Sequence, residues 1–160
     1  MDISIRTELE KDYRRVEEIT RAAFSYPERI ERGGIGCPYE HWMVHELRRR
    51  DGIPELSFVA EVDHNIIGHI ICSKAEVRTS DRIIPVLNVG PLSVLPEYQR
   101  KGVGKALIRS MTGKAAELGF GAILFLEDRS IILNLGSKRL PNGRLPIQMD
   151  IIIRHLWEWN

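Results

Sequence analysis

Residues 85–111 carry the pattern that most constrains how this chain can fold: an apolar run, a short polar loop and an amphipathic segment. The run over residues 85–94 is β-prone but is broken at Gly90-Pro91, and such a break releases backbone N–H and C=O groups from a strand ladder. Apolar residues then recur at helical spacing from about Gly102 onward. The stretch therefore predicts an interrupted strand, a loop and a helix in direct succession.

The start of this helix has the properties of an anion-binding site. Gly102 and Gly104 have no Cβ atoms, so a ligand can approach the backbone closely. The unpaired N–H groups of a first helical turn and the helix dipole favour negative charge, and three cations flank them here: Arg100, Lys101 and Lys105. A pyrophosphate suits such a site. The patterns G-x-G-x-x-G and G-K-[ST] are both absent, which argues against a dinucleotide fold and a Walker loop.

The pattern V-x-P-x-x-Q-x-x-G-x-G over residues 94–104 resembles the acetyl-CoA-binding motif of the GNAT family of N-acetyltransferases. The resemblance implies acetyl-CoA as cosubstrate and no metal. It also implies that the backbone of residues 92–94 lines the pantetheine and meets the thioester carbonyl, while residues 100–105 hold the pyrophosphate. The cofactor-binding residues expected on this basis are Leu92, Ser93, Val94, Gln99, Arg100, Lys101, Gly102, Val103, Gly104 and Lys105.

The order of predicted elements is that of the same family and implies its α+β fold, an α/β/α sandwich with a mixed, mostly antiparallel sheet between helices. The predicted elements are a strand over residues 3–6, helices over 9–24 and 39–50, strands over 56–62 and 66–77, the interrupted strand and helix described above, and a strand over 121–126. We expect a single domain over residues 1–160, family-like to residue 126. The run Arg48-Arg49-Arg50 is predicted to be a solvated helix end.

Composition limits the location and the partners. A net charge of +1 argues against general binding to nucleic acid, and no apolar run approaches the ~20 residues of a membrane-spanning helix. The charged N-terminus is unlike a signal peptide, and Cys37 and Cys72 lack the spacing of a metal or redox motif. We therefore expect a cytoplasmic protein with no nucleic-acid or membrane partner.

The resemblance implies direct transfer of an acetyl group to a primary amine of a small molecule or protein in a ternary complex. Two residues are candidates for deprotonating the amine. Glu40, beside His41, lies in the family's acceptor-binding segment, although such a pair also suits a solvated surface. Asn88 either orients a water or satisfies the interrupted ladder. The family's usual acid, a tyrosine near the thioester sulfur, is missing because no tyrosine follows Tyr98, so a catalytically impaired acyl-CoA-binding protein is the alternative function.

The tail over residues 127–160 departs from the family pattern, and its C-terminal strands are expected to be altered or missing. With permitted codons, residues 127–139 can be re-read in another frame as GPEYYPKFGFKE, which matches the family's motif. We therefore propose a frameshifted terminus, which requires an AGY codon for Ser130. The alternative is ordinary divergence of the tail. Loss of the closing strands would expose the edge of the strand over residues 121–126, so we expect the apolar run 150–154 to pair with a free edge, and a homodimer to form.

Overall fold

The computed structural model describes residues 1–25, 31, 39–78, 81–125, 130–133 and 150–152. Residues 26–30 and 32–38, between the two predicted helices, and most of the re-read segment lie outside the described residues. The elements are β1 (Ser4–Thr7), α1 (Tyr13–Ala23), α2 (Glu40–Arg49), β2 (Phe58–Val62), β3 (Asn65–Ile70), β4 (Cys72–Arg78), β5 (Ile83–Val89), β6 (Ser93–Val94), α3 (Val103–Glu117), β7 (Ala122–Phe125), β8 (Ser130–Leu133) and β9 (Asp150–Ile152).

The strands form two sheets, in the orders β1-β2-β3-β6 and β8-β7-β5-β4-β9. Every pairing is antiparallel except that of β5 with β7, so the predicted mixed, mostly antiparallel architecture is confirmed. The segment predicted as one strand over residues 66–77 divides at Ile71 into β3 and β4. The strand segment that pairs with it divides at residues 90–92 into β5 and β6. Both breaks occur at the same level of one long hairpin, where the two sheets separate.

Helices cover the two faces of the first sheet. On one face α3 buries Val103 and Leu107, and on the other α1 buries Val16 and Ile19. Successive residues of a strand point to opposite faces. Accordingly, Ile66 of β3 packs with the α1 residues and Ile67 with the α3 residues. This arrangement is the predicted sandwich, and the α3 N-terminus lies next to the point at which the sheets part.

The C-terminal tail supplies strands to the second sheet. β8 pairs with β7, residue by residue from Ala122↔Leu133 to Phe125↔Ser130, so the expected exposure of that edge is wrong. The run Ser130–Leu133 is rich in β-branched residues, which favours a strand. β9 pairs with β4 of the same chain, and this confirms that the run beginning at residue 150 adds a strand to a free edge.

Candidate cofactor and catalytic site

The loop before α3 has an unusual backbone conformation, with two residues of positive φ just before the first helical turn. Gly102 is the N-cap residue, with φ of 88°, and Arg100 also has a positive φ of 58°. The first helical hydrogen bond runs from Ala106 N–H to the Gly102 carbonyl at 3.0 Å. The N–H groups of Val103 and Gly104 therefore precede the helical ladder and have no partner within the helix, so they can bind an anion.

Both glycines leave this helix start open. A Cβ atom added at Gly102 would meet nothing within 4 Å, although its φ disfavours any other residue. A Cβ added at Gly104 would meet only Leu92 Cδ2, at 3.7 Å. Gly104 thus lies beside the break in the central strand, which brings together the two parts of the expected cofactor site.

Side chains of the loop hold it to the strand it follows. The Gln99 Nε2 group donates a hydrogen bond to the Val94 carbonyl at 3.1 Å. The Lys101 ammonium lies 5.6 Å from the centroid of the Tyr98 ring. Arg100, Lys101 and Lys105 are all exposed, so their charges are available at the helix start. The side chain of Gln99 therefore holds the loop against the end of β6.

The short strand β6 offers its backbone, not its side chains, to the opening between the sheets. Ser93 is fully buried, and its hydroxyl donates to Thr20 Oγ1 at 2.9 Å, toward α1. β6 pairs with β3 on one side and, among the described strands, has no partner on the other. One edge of residues 93–94 is therefore open to backbone hydrogen bonds from a ligand, whereas the Ser93 side chain is already used.

The two candidate catalytic residues occupy different environments. Asn88 is 1 % exposed, lies opposite Ser73 in the β4–β5 ladder, and its Oδ1 has no hydrogen-bond partner among the described residues. Its side-chain oxygen therefore makes no hydrogen bond to the ladder in the described structure. Glu40 lies in the first turn of α2, where its Oε2 accepts a hydrogen bond from the Tyr39 N–H at 3.2 Å. This contact is typical of a residue at a helix start.

A buried polar cluster that the sequence did not predict lies under α1 and α2. Arg48 Nη2 donates to Glu8 Oε1 at 2.5 Å, and Arg48 Nη1 donates to Glu17 Oε1 at 3.1 Å. Ser57 Oγ lies 2.7 Å from Glu8 Oε2 and 3.0 Å from His69 Nε2. We call Glu8, Arg48, Ser57 and His69 the buried polar cluster. It joins the ends of β1 and α2 to the start of β2 and to β3.

The cluster perturbs its titratable groups in opposing ways. Burial by itself would raise the pKa of Glu8, but hydrogen bonds from His69, Arg48 and Ser57 outweigh burial and lower that pKa to about 2. Burial lowers the pKa of His69, although Glu8 opposes this effect. Glu8 is thus ionised and His69 neutral near pH 7.

The prediction of a solvated end for α2 is wrong for Arg48, whose side chain is 8 % exposed, and holds for Arg49, at 65 %. The Arg48 guanidinium carbon also lies 4.1 Å from the centroid of the Tyr13 ring. Arg48 follows the buried Val44 by four residues, which places both on one helix face. This spacing is the sequence signal from which the burial of Arg48 could have been predicted.

Other candidate chemistries find little support in the described part of the chain. Cys72 is buried, and burial raises the pKa of its thiol to about 12, which argues against a covalent acyl-enzyme there. Among the residues that the structure describes, no group of three or more histidine, cysteine or acidic side chains is arranged to hold a metal. None of the described helices has the length and apolar composition needed to cross a membrane. Cys37 lies outside the described residues.

Comparison with known proteins decides the family. The model of the acetyltransferase (GNAT) family matches residues 13–140 of this chain. The chain belongs to the GNAT family. Its fold matches the crystal structure of a GNAT acetyltransferase from Brucella melitensis in complex with acetyl-CoA, with a TM-score of 0.65 and 26 % identity over 89 % of this chain and 94 % of the other.

Two Escherichia coli relatives are similar in sequence, and both are described as uncharacterised N-acetyltransferases. YjhQ is 38 % identical over 83 residues, which is 51 % of this chain and 45 % of YjhQ. YhbS is 28 % identical over 95 residues, 59 % of this chain and 55 % of YhbS. The chain therefore spans about half the length of these relatives. The crystal structure of YhbS with CoA, at a TM-score of 0.62, shares the fold.

Proposed function

We propose that this GNAT protein transfers an acetyl group from acetyl-CoA to a primary amine of a small molecule or protein, directly and within a ternary complex. One observation carries the proposal: the open N-terminus of α3 lies beside the break in the central strand, with Gly104 next to Leu92. A helix start binds phosphate, and a broken strand binds an amide chain through its free backbone groups. CoA contains both groups in one molecule, and the Brucella relative was crystallised with acetyl-CoA.

Each proposed contact follows from this arrangement. The N–H groups of Val103 and Gly104 and the exposed cations beside them receive the pyrophosphate. The free edge of β6 receives the pantetheine, and a backbone N–H within residues 92–94 polarises the thioester carbonyl as charge develops on its oxygen. The mechanism uses no metal.

The acceptor amine must lose a proton before it attacks. Asn88 supports an ordered water in this role, since its buried Oδ1 has no partner in the described structure. Glu40 is the second candidate for receiving the proton, by its place at the start of α2. Because acetyl-CoA is an intracellular metabolite, the proposal also implies a cytoplasmic location.

The alternative function, an acyl-CoA-binding protein with impaired catalysis, is favoured by one feature. No tyrosine follows Tyr98, and the ring of Tyr98 lies against Lys101 in the loop, so the family's usual proton donor to the thiolate has no counterpart. Thiolate without a proton donor is a poorer leaving group.

Measurement of CoA binding together with CoA release over a broad panel of amines separates these functions. Binding with amine-dependent release supports the acetyltransferase. Binding without release for any amine supports the acyl-CoA-binding protein. Absence of both would refute the cofactor site.

A further inference from the structure

The hydrogen bonds of the buried polar cluster determine which nitrogen of His69 carries its proton. Glu8 is ionised and cannot donate, so the Ser57 hydroxyl must donate to Glu8 Oε2 across their 2.7 Å contact. Ser57 Oγ then accepts from His69 Nε2 at 3.0 Å, and Glu8 Oε1 lies 3.4 Å from the same nitrogen. His69 therefore carries its proton on Nε2. Its Nδ1 is left as an unprotonated acceptor.

This acceptor is buried and unused. His69 is 0 % exposed, and Nδ1 has no hydrogen-bond partner among the described residues. A carboxylate that fixes one ring nitrogen as a donor, so that the other can accept a proton, is the arrangement by which proteins prepare histidine as a base. A purely structural histidine gains nothing from a bare nitrogen, since an unpaired buried acceptor costs stability.

The strand register places His69 beside the expected cofactor strand. His69 of β3 lies directly opposite Ser93 of β6, and adjacent strands are separated by about 4.8 Å. Asn88 lies on the other side of the strand break, opposite Ser73. The strand register thus places His69 and Asn88, each with a buried acceptor atom, near the strand break at which the thioester is expected.

We propose that His69 Nδ1 receives the proton of the acceptor amine through a buried water, a role that rests on the proposed acetyltransferase function. The ammonium gives one proton to the water as the water gives one to Nδ1, which forms an imidazolium. The amine lone pair attacks the thioester carbon, the C–S bond breaks, and the second amine proton neutralises the thiolate. The imidazolium then returns its proton to solvent. His69 acts through the water and is a positioning residue.

The groups that face His69 determine how readily it accepts this proton. Glu8, from the segment after β1, stabilises the imidazolium, whereas the Arg48 charge from α2 opposes it. Ser57, before β2, is neutral, and Ser93 of β6 donates its hydroxyl to Thr20 of α1. Glu17 of α1 is ion-paired with Arg48 and reduces its effect. The carboxylate of Glu8 is thus the main support for a protonated His69.

The test compares His69→Gln with His45→Gln in the full chain. Glutamine can still donate toward Ser57 but has no base at the Nδ1 position, and His45, which is 53 % exposed, lies at the rim of the same cluster. With the best amine of the panel, we expect H69Q to lower kcat by about 10²-fold or more, to leave the KM for acetyl-CoA within about twofold, and to remove the acidic limb of the pH profile. H45Q should match the wild type.

Two further measurements keep the proposal testable if H69Q folds poorly. Nitrogen NMR of the wild-type histidine rings in the CoA complex should show His69 with a protonated Nε2 and a bare Nδ1. Glu8→Gln should move the acidic limb to lower pH, because it removes the charge that supports the imidazolium.

The outcomes are distinct. A folded H69Q with normal kcat and a normal acidic limb would overturn the role of His69 while the acetyltransferase function stands. A proton on Nδ1 in the NMR spectrum would overturn it as well. A wild-type protein that acetylates no amine would overturn the proposed function first, and this role with it.

Discussion

Replacing Arg48 by methionine should destabilise the protein far more than the same change at Arg49. Methionine retains an apolar stem of similar length, so the substitution removes mainly the charge. Arg48 is one of the groups that lower the pKa of Glu8, and its guanidinium, which is 8 % exposed, also pairs with Glu17. Removal of one partner of a buried ion pair costs about 3–5 kcal/mol. We therefore expect R48M to lose ~3 kcal/mol, or about 6–12 °C in Tm.

Arg49 is the matched control because it is the next residue of the same helix and pairs with Glu46 at 3.0 Å while remaining exposed. R49M should change stability by no more than about 0.5 kcal/mol. Urea unfolding at pH 7 measures both variants. The double variant E8Q/R48M should recover at least ~1 kcal/mol relative to R48M, since no unpaired carboxylate remains buried. Equal stability of R48M and R49M would refute the account of the buried polar cluster and would support the original prediction that Arg48 lies at a solvated helix end.

Three further predictions concern pH, the tail and assembly. Since the pKa of Glu8 is lower in the folded state, its contribution to folding stability is present above pH ~4.5 and is lost as pH falls toward 2. Urea unfolding across this range should show a steeper loss of stability in the wild type than in E8Q, and parallel curves would contradict the pKa shift. Restoring the re-read terminus should raise turnover by up to ~10²–10⁴-fold through the recovered tyrosine, and equal rates would mean that water or another residue is the acid. A second copy could donate β9 to β4, so light scattering should find a dimer for the full chain and a monomer after truncation at residue 140; two monomers would exclude the homodimer.

The sequence predicted the elements whose signals are local. The helix begins after Gly102 as expected, and Gly102 has a positive φ of 88°, which a residue without Cβ takes easily. The division of the central strand at Gly90 followed from the same kind of local reasoning. These features depend on neighbours in sequence and not on the rest of the fold.

The buried polar cluster could not be predicted in this way because its members come from four separate elements. Glu8 and His69 interact across 61 residues of sequence, and neither has a local partner that would identify it. The burial of Arg48 likewise depends on Glu8 and Tyr13, which only the folded chain brings near. The paired edge of β7 was missed because the strands that close the sheet in the family were expected to be altered or missing.

Calorimetric titration of CoA into Gly104→Val and Gly113→Val tests the central claim most directly. Both variants place valine at a glycine of α3, and a Cβ atom meets only Leu92 Cδ2 at 3.7 Å in the first case and nothing within 4 Å in the second, so both should fold. If the pyrophosphate lies on the first turn of α3, G104V abolishes measurable CoA binding, a loss of far more than tenfold, while G113V binds like the wild type. Equal CoA affinity in G104V and G113V would contradict the assignment of the cofactor site.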